Sequence, residues 1–99
     1  MTTSYVGAYR ASQNQPPVIF RAHLFDSMQL VAQAMPAALK ADKPGTAEFR
    51  AALRDGLEQS KNVYLNNGLA NMGSTDHNGY DQRSAFIIKV DGGKFRLVK

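Results

Sequence analysis

Apolar and polar positions alternate along this chain with two different periods. In the first sixty residues the period is helical. Tyr5, Val6 and Tyr9 recur at helical spacing within Thr3 to Ser12, which predicts a short opening helix. The polar run Ser12-Gln13-Asn14-Gln15 and then Pro16-Pro17 stop it. Val18-Ile19-Phe20 is a brief apolar stretch, expected to be extended after the two prolines. The strongest signal follows: Leu24, Phe25, Met28, Val31, Ala32 and Met35 fall at i, i+1, i+4, i+7, i+8 and i+11, one stripe on one helix face. That stripe is expected to be core. Pro36 should kink or end the helix, with Ala37-Ala38-Leu39 free to start a second short segment. After Pro44-Gly45, Thr46 is placed to cap a further helix, with Glu48 in its first turn opposing the helix dipole. Phe49, Ala52, Leu53 and Leu57 supply its buried face, and it ends near Ser60. Gly56 costs that helix about 1 kcal/mol relative to Ala, which points to close packing at that position.

Beyond Lys61 the period shortens. Val63-Tyr64-Leu65 and Leu69 to Met72 read as short strands separated by Asn66-Asn67-Gly68, and 73–82 is loop chemistry. Ala85 to Val90, a tight Asp91-Gly92-Gly93 turn and Lys94 to Val98 read as a β-hairpin. Phe95 and Leu97 alternate with Lys94 and Arg96, giving the ribbon one apolar and one basic face. The expected class is α/β, or α+β for the chain taken alone: two to three helices, short strands and a C-terminal hairpin. At 99 residues the chain is expected to form a single domain over 1–99. Its strands are too few to cover the helical stripes through Leu24, Phe25, Met28, Val31 and Met35 and through Phe49, Leu53 and Leu57. A homo-oligomer, most simply a two-fold dimer, is therefore expected.

Charge changes the picture only at the end. Residues 1–82 sum to zero, and the whole formal +4 comes from Arg83, Lys89, Lys94, Arg96 and Lys99 against Asp91. Such a basic face can meet acidic partners or nucleic acid, or it can solvate a sheet edge and discourage edge-to-edge pairing. Phe95 lies opposite the basic side chains, so the interleaved aromatics of a nucleic-acid stacking platform are missing. Without Cys, the chain has no disulfide framework, thiolate metal site or cysteine nucleophile. No apolar run approaches the ~20 residues of a membrane span. The opening MTTSYVGAYR lacks the apolar core of a signal peptide, so as written the expectation is a cytoplasmic chain.

The densest polar cluster is Ser74-Thr75-Asp76-His77-Asn78-Gly79-Tyr80-Asp81. Asp76, Asn78 and Asp81 offer oxygen ligands, but a calcium loop needs ligands at positions 1, 3 and 5, Gly at 6 and Glu at 12. Here Gly79 follows directly on the second ligand and the twelfth position is Ile87. The cluster reads as a turn, with Asn78-Gly79 at positive φ and Asp76 bonding nearby N–H groups. His77 with Asp76 and Ser74 has the residue types of a hydrolase triad, yet adjacent loop positions do not line up nucleophile, base and orienting group. GxSxG, HExxH and P-loop spacings are all missing. No catalytic residue, metal ligand or cofactor site is assigned, and the expectation is a chain that is not an enzyme.

Four stretches together resemble one family. Tyr5 to Gln15, PPVIFRAHLFDSMQLVAQA with its aromatic-Asp-small triplet Phe25-Asp26-Ser27, KPGTAEFRAALRDGLEQSKN, and the closing NMGSTDHNGYDQRSAFIIKVDGGKFRLVK are similar to the C-terminal part of the periplasmic solute-binding proteins of branched-chain amino acid ABC importers. The resemblance implies part of a two-lobed periplasmic-binding fold whose full-length members are several times longer. It implies a non-catalytic role for the family, with an amino-acid-like ligand, a membrane permease as partner and a periplasmic location. Ligands among relatives include branched-chain and other amino acids, amides and aromatic acids. The family's ligand contacts map onto Phe20, Ala22 and His23, and the Asp76-His77 loop maps onto a structural connection between lobes. The alternative is an autonomous interaction module using the basic hairpin.

Overall fold

A computed structural model describes residues 2–98. Helix α1 spans Thr2–Gln13 and ends at Asn14, which takes the left-handed φ of 53° while its N–H donates to the Arg10 carbonyl at 2.9 Å. Short polar Asn tolerates that conformation, and Pro16-Pro17 prevents any continuation. Helix α2 spans Ile19–Ala41. Ile19 and Phe20 are therefore helical, not extended as the sequence suggests. A proline restricts the residue before it, not the residues after it, so only Val18 stays extended, as the cap. Its carbonyl accepts from Arg21 at 3.1 Å and from Ala22 at 3.2 Å.

Pro36 lies inside α2, and Ala37-Ala38-Leu39 belong to that same helix. Position 36 is exposed, so the carbonyl that loses its partner can turn to water. Helix α3, Ala47–Glu58, begins as its sequence predicts: the Thr46 hydroxyl accepts from the Phe49 N–H at 3.2 Å. Two antiparallel pairs follow. Strands β1 (Val63–Tyr64) and β2 (Leu69–Ala70) pair Val63 with Ala70 and Tyr64 with Leu69. After a short 3-10 turn at Gln82–Ser84, β3 (Ile88–Asp91) and β4 (Lys94–Leu97) form the terminal hairpin. Its register pairs Ile88 with Leu97, Lys89 with Arg96, Val90 with Phe95 and Asp91 with Lys94. Gly92 and Gly93 at φ 58° and 74° form a two-residue loop whose twist suits the strands, so Asp91 belongs to the ladder and not to the turn. The expected strand over 85–87 is irregular, apart from the Ile87 carbonyl accepting from Val98 at 2.9 Å.

The buried row of α2 is not the expected stripe. It is Ala22, Asp26, Ala34 and Ala38, spaced by four, eight and four with half-buried Leu30 in the gap, while Leu24, Phe25 and Met28 are exposed and Val31 and Met35 half-buried. Small side chains decide this. A Cβ on Gly56 of α3 would stand 3.1 Å from the Ala34 Cβ, so the α2 and α3 backbones approach at a row with little side chain between them. Close approach maximises dispersion contact, and large residues are turned away. The packing expected at Gly56 is thus observed. Among the described residues the buried apolar set is Ala22, Ala34, Ala38, Phe49, Leu65 and Ala70, and only Phe49 and Leu65 are large. The outline is correspondingly flat, 55 × 33 × 16 Å, with a radius of gyration of 16.8 Å against about 13 Å for a 100-residue domain. No helix among the described residues is long and apolar enough to cross a membrane. Lys99, counted above in the basic tail, lies outside the described residues.

Candidate functional site

The first turns of α2 carry Phe20, Ala22 and His23, and a buried carboxylate one turn further on fixes where they stand. Asp26 is only 2% exposed. Its Oδ1 accepts from the Asn66 backbone N–H at 3.0 Å and from the Asn66 side-chain amide at 2.7 Å. Its Oδ2 accepts from the Asn67 backbone at 3.0 Å and side chain at 2.9 Å. Burying a charge is costly unless its lone pairs are satisfied, and here four N–H donors replace the lost water. The Asn66-Asn67 turn is thereby fastened to α2.

The far side of that turn is as tightly set. Gly68 has φ 151°, and a Cβ there would fall 2.3 Å from the Ser84 hydroxyl and 3.3 Å from the Tyr80 ring, so only glycine fits. Ser84 in turn accepts from the Leu69 N–H at 3.2 Å. Tyr80 bridges Ala70 through its backbone and meets the His23 ring edge-on at 6.1 Å between centroids. Burial pushes the Tyr80 phenol above its ordinary pKa, and the negative charge of Asp26 adds to the effect.

Phe20 is 81% exposed, His23 is half-buried against Tyr80, and Ala22 is buried. Phe20 and His23, three residues apart, share one side of the helix, while Ala22 points to the core. Beside them α1 and α2 enclose an open groove of about 350 Å³ lined by Tyr5, Tyr9, Arg21, Leu24, Phe25 and Met28. Tyr5 stacks at a tilt on Phe25 at 4.8 Å, and the Arg21 guanidinium both bonds the Tyr9 hydroxyl and lies 5.6 Å over its ring.

The Asp76 loop takes the turn geometry its sequence suggests. Asp76 accepts from the N–H groups of Asn78 at 2.9 Å and Gly79 at 3.4 Å. Gly79 alone of the pair has positive φ, 78°, so Asn78 departs from the expectation. The His77 ring nitrogen Nε2 lies 3.1 Å from a carboxylate oxygen of Glu58 in α3. The Asp81 carboxylate accepts from the Arg83 guanidinium through Nε and Nη2 and from the Arg83 backbone N–H, which holds its carboxyl below the usual range, and it accepts from Asn71 at 3.5 Å. On the hairpin, Lys89 joins Arg96 across the ribbon as expected, but Asp91 stands 3.7 Å from the first and 3.5 Å from the second. That carboxylate weakens the face as an anion-binding surface.

Asp26 had no assigned role in the sequence beyond its place in the Phe25-Asp26-Ser27 triplet. Two signals could have exposed it: an acidic residue in line with Ala22, Ala34 and Ala38, and the amide-rich Asn66-Asn67 pair able to serve it.

No family model matches the chain, and neither does any curated protein. Solved structures do. An extracellular ligand-binding receptor from Rhodopseudomonas palustris HaA2 is 59% identical over 95% of this chain and 26% of that one, with a TM-score of 0.81. A second extracellular ligand-binding receptor, from Rhodopseudomonas palustris, is 34% identical over 98% of this chain and 27% of its own, TM-score 0.82. A third, again from the HaA2 strain, is 36% identical over 94% and 26%, TM-score 0.79. The chain spans about a quarter of the length of each.

Proposed function

Since this chain corresponds, in sequence and in fold, to about a quarter of an extracellular ligand-binding receptor of two-lobed α/β type, we propose that it contributes one wall of a solute-binding site in such a receptor. The observation that carries this reading is the 59% identity to the HaA2 receptor over 95% of the chain. The ligand is an amino acid or a similar small carboxylate, the receptor works outside the cytoplasmic membrane, and it delivers its ligand to the permease of an ABC importer. The role is binding without catalysis.

In this reading Phe20 and His23 face the ligand. Ala22 seats their turn on the body, where a larger side chain would push it outward. Support comes from the way Asp26 and Tyr80 fasten that turn to the 66–84 segment, since a binding residue held in one place loses less entropy on binding. A wall is not a cleft. Micromolar binding needs about 8 kcal/mol, and an amino acid's charged ends need several partners shielded from water. The 99-residue chain should therefore give no saturable calorimetric heat with an amino-acid panel at micromolar concentration.

The test places this chain where its counterpart sits in the HaA2 receptor and runs receptor and chimera against one panel of amino acids and small carboxylates. The chimera should bind whichever ligand the receptor binds, with a Kd within about tenfold, or about 1.4 kcal/mol. His23→Ala and Phe20→Ala in the chimera should each weaken it further. A folded chimera that binds none of the receptor's ligands would overturn the reading.

A further inference from the structure

The sequence holds two Asn-Gly pairs, Asn67-Gly68 and Asn78-Gly79. In such a pair the glycine nitrogen stands close to the Asn side-chain carbonyl, and no Cβ obstructs closure of a succinimide ring. The two pairs share that local chemistry and have opposite surroundings. At Asn67 the reacting groups are held. Its side-chain amide donates to Asp26 Oδ2 at 2.9 Å, and its backbone N–H donates to the same oxygen at 3.0 Å. Gly68 beside it is wedged against Ser84 and Tyr80. Asn78 is exposed, and among the described residues its side-chain amide has no hydrogen-bond partner. Only its backbone N–H is engaged, donating to Asp76 at 2.9 Å. Gly79 is buried, and its carbonyl accepts from Asn71 at 2.7 Å. Its N–H, the one that must react, reaches Asp76 at only 3.4 Å, a long bond that is easily released.

We propose that Asn78 is a site of spontaneous deamidation in this chain, and that Asp26 shields Asn67 from the same reaction. The Gly79 nitrogen forms a bond to Asn78 Cγ and passes its proton through water to the side-chain amide. The Cγ–Nδ2 bond then breaks and the amide leaves as ammonia. Water opens the succinimide at either carbonyl, giving aspartate or isoaspartate and one added negative charge. The new carboxylate stands beside Asp76. As isoaspartate it also inserts a methylene into the main chain two residues before Tyr80, the ring that meets His23. At Asn67 the same step must break charge-assisted hydrogen bonds to Asp26, which slows it about tenfold or more. The contrast rests on contacts inside the chain and is independent of the solute-binding reading.

Incubation of the folded 99-residue chain at neutral pH, followed by mass spectrometry, tests the proposal. Both pairs lie in one tryptic peptide, from Asn62 to Arg83, so fragment ions must locate the change. Asn78 should convert about tenfold faster than Asn67 or more, with isoaspartate among the products. In guanidinium, where both pairs sit in an unfolded chain, the two rates should become nearly equal. Asn78→Gln, whose ring closure would need a larger ring, should remove the fast change. Equal or reversed rates in the folded chain overturn the proposal, and so does a fast change that persists in Asn78→Gln. A ratio that unfolding leaves unaltered overturns it as well, since Asp26 would then play no part in sparing Asn67.

Discussion

The segment joining α2 to α3 and the turns of 62–84 differs from the terminal hairpin in how its polar and apolar groups are served. In the first, a buried carboxylate receives four N–H donors, small residues bring two helices together at Gly56, and Gly68 fits between Tyr80 and Ser84. In the second, the backbone ladder is complete but every side chain is exposed. Backbone pairing alone does not make a stable sheet, because each hydrogen bond replaces one to water and the net gain is small. The first region is held by tertiary contacts, whereas the second depends on whatever covers it.

The largest effect should follow from removing the carboxylate. Asp26→Ala leaves the donors of Asn66 and Asn67 unserved and should cost about 3–5 kcal/mol, read as a drop in the urea midpoint. An unchanged midpoint would mean that the Asn66-Asn67 turn is held by something else. Next comes the helix contact. Gly56→Val forces side chain against Ala34 and should cost about 1–3 kcal/mol by the same measurement. Thr46→Ala removes the α3 cap and should cost about 1 kcal/mol.

The smallest effect is one of pH. Arg83 lowers the Asp81 carboxyl in the folded state, chiefly by hydrogen bonding. A depressed folded pKa gives stability that is present above the unfolded value, near 3.9, and is lost as pH falls through the folded one. Because the pair is exposed, Arg83→Gln should lower the melting temperature only slightly at neutral pH, and its difference from the parent should vanish as pH falls through the acid limb.

These contrasts also show what the sequence made legible. The α3 cap, the Asp76 turn and the hairpin were readable because each depends on neighbours a few residues away, and the close approach at Gly56 because a glycine inside a helix signals tight packing without naming its partner. The buried face of α2 was not. Hydrophobic periodicity selects the largest apolar side chains, Leu24 and Met28, whereas the helix pair selects the smallest, Ala34 and Ala38. That choice depends on a second element whose position no local pattern encodes. Asp26 was missed for the same reason, since its partners lie forty residues away at Asn66 and Asn67. At the candidate site the turn bearing Phe20, Ala22 and His23 was located by resemblance. Its helical start and its contact with Tyr80 came only from the structure.

Amide hydrogen exchange on the 99-residue chain, at a concentration where it is monomeric, tests the contrast most directly. Slow exchange is expected in α3, in the buried half of α2 and at the Asn66 and Asn67 amides bonded to Asp26, and fast exchange in β3 and β4 despite their paired register. A monomeric hairpin protected as strongly as α3 would contradict that contrast.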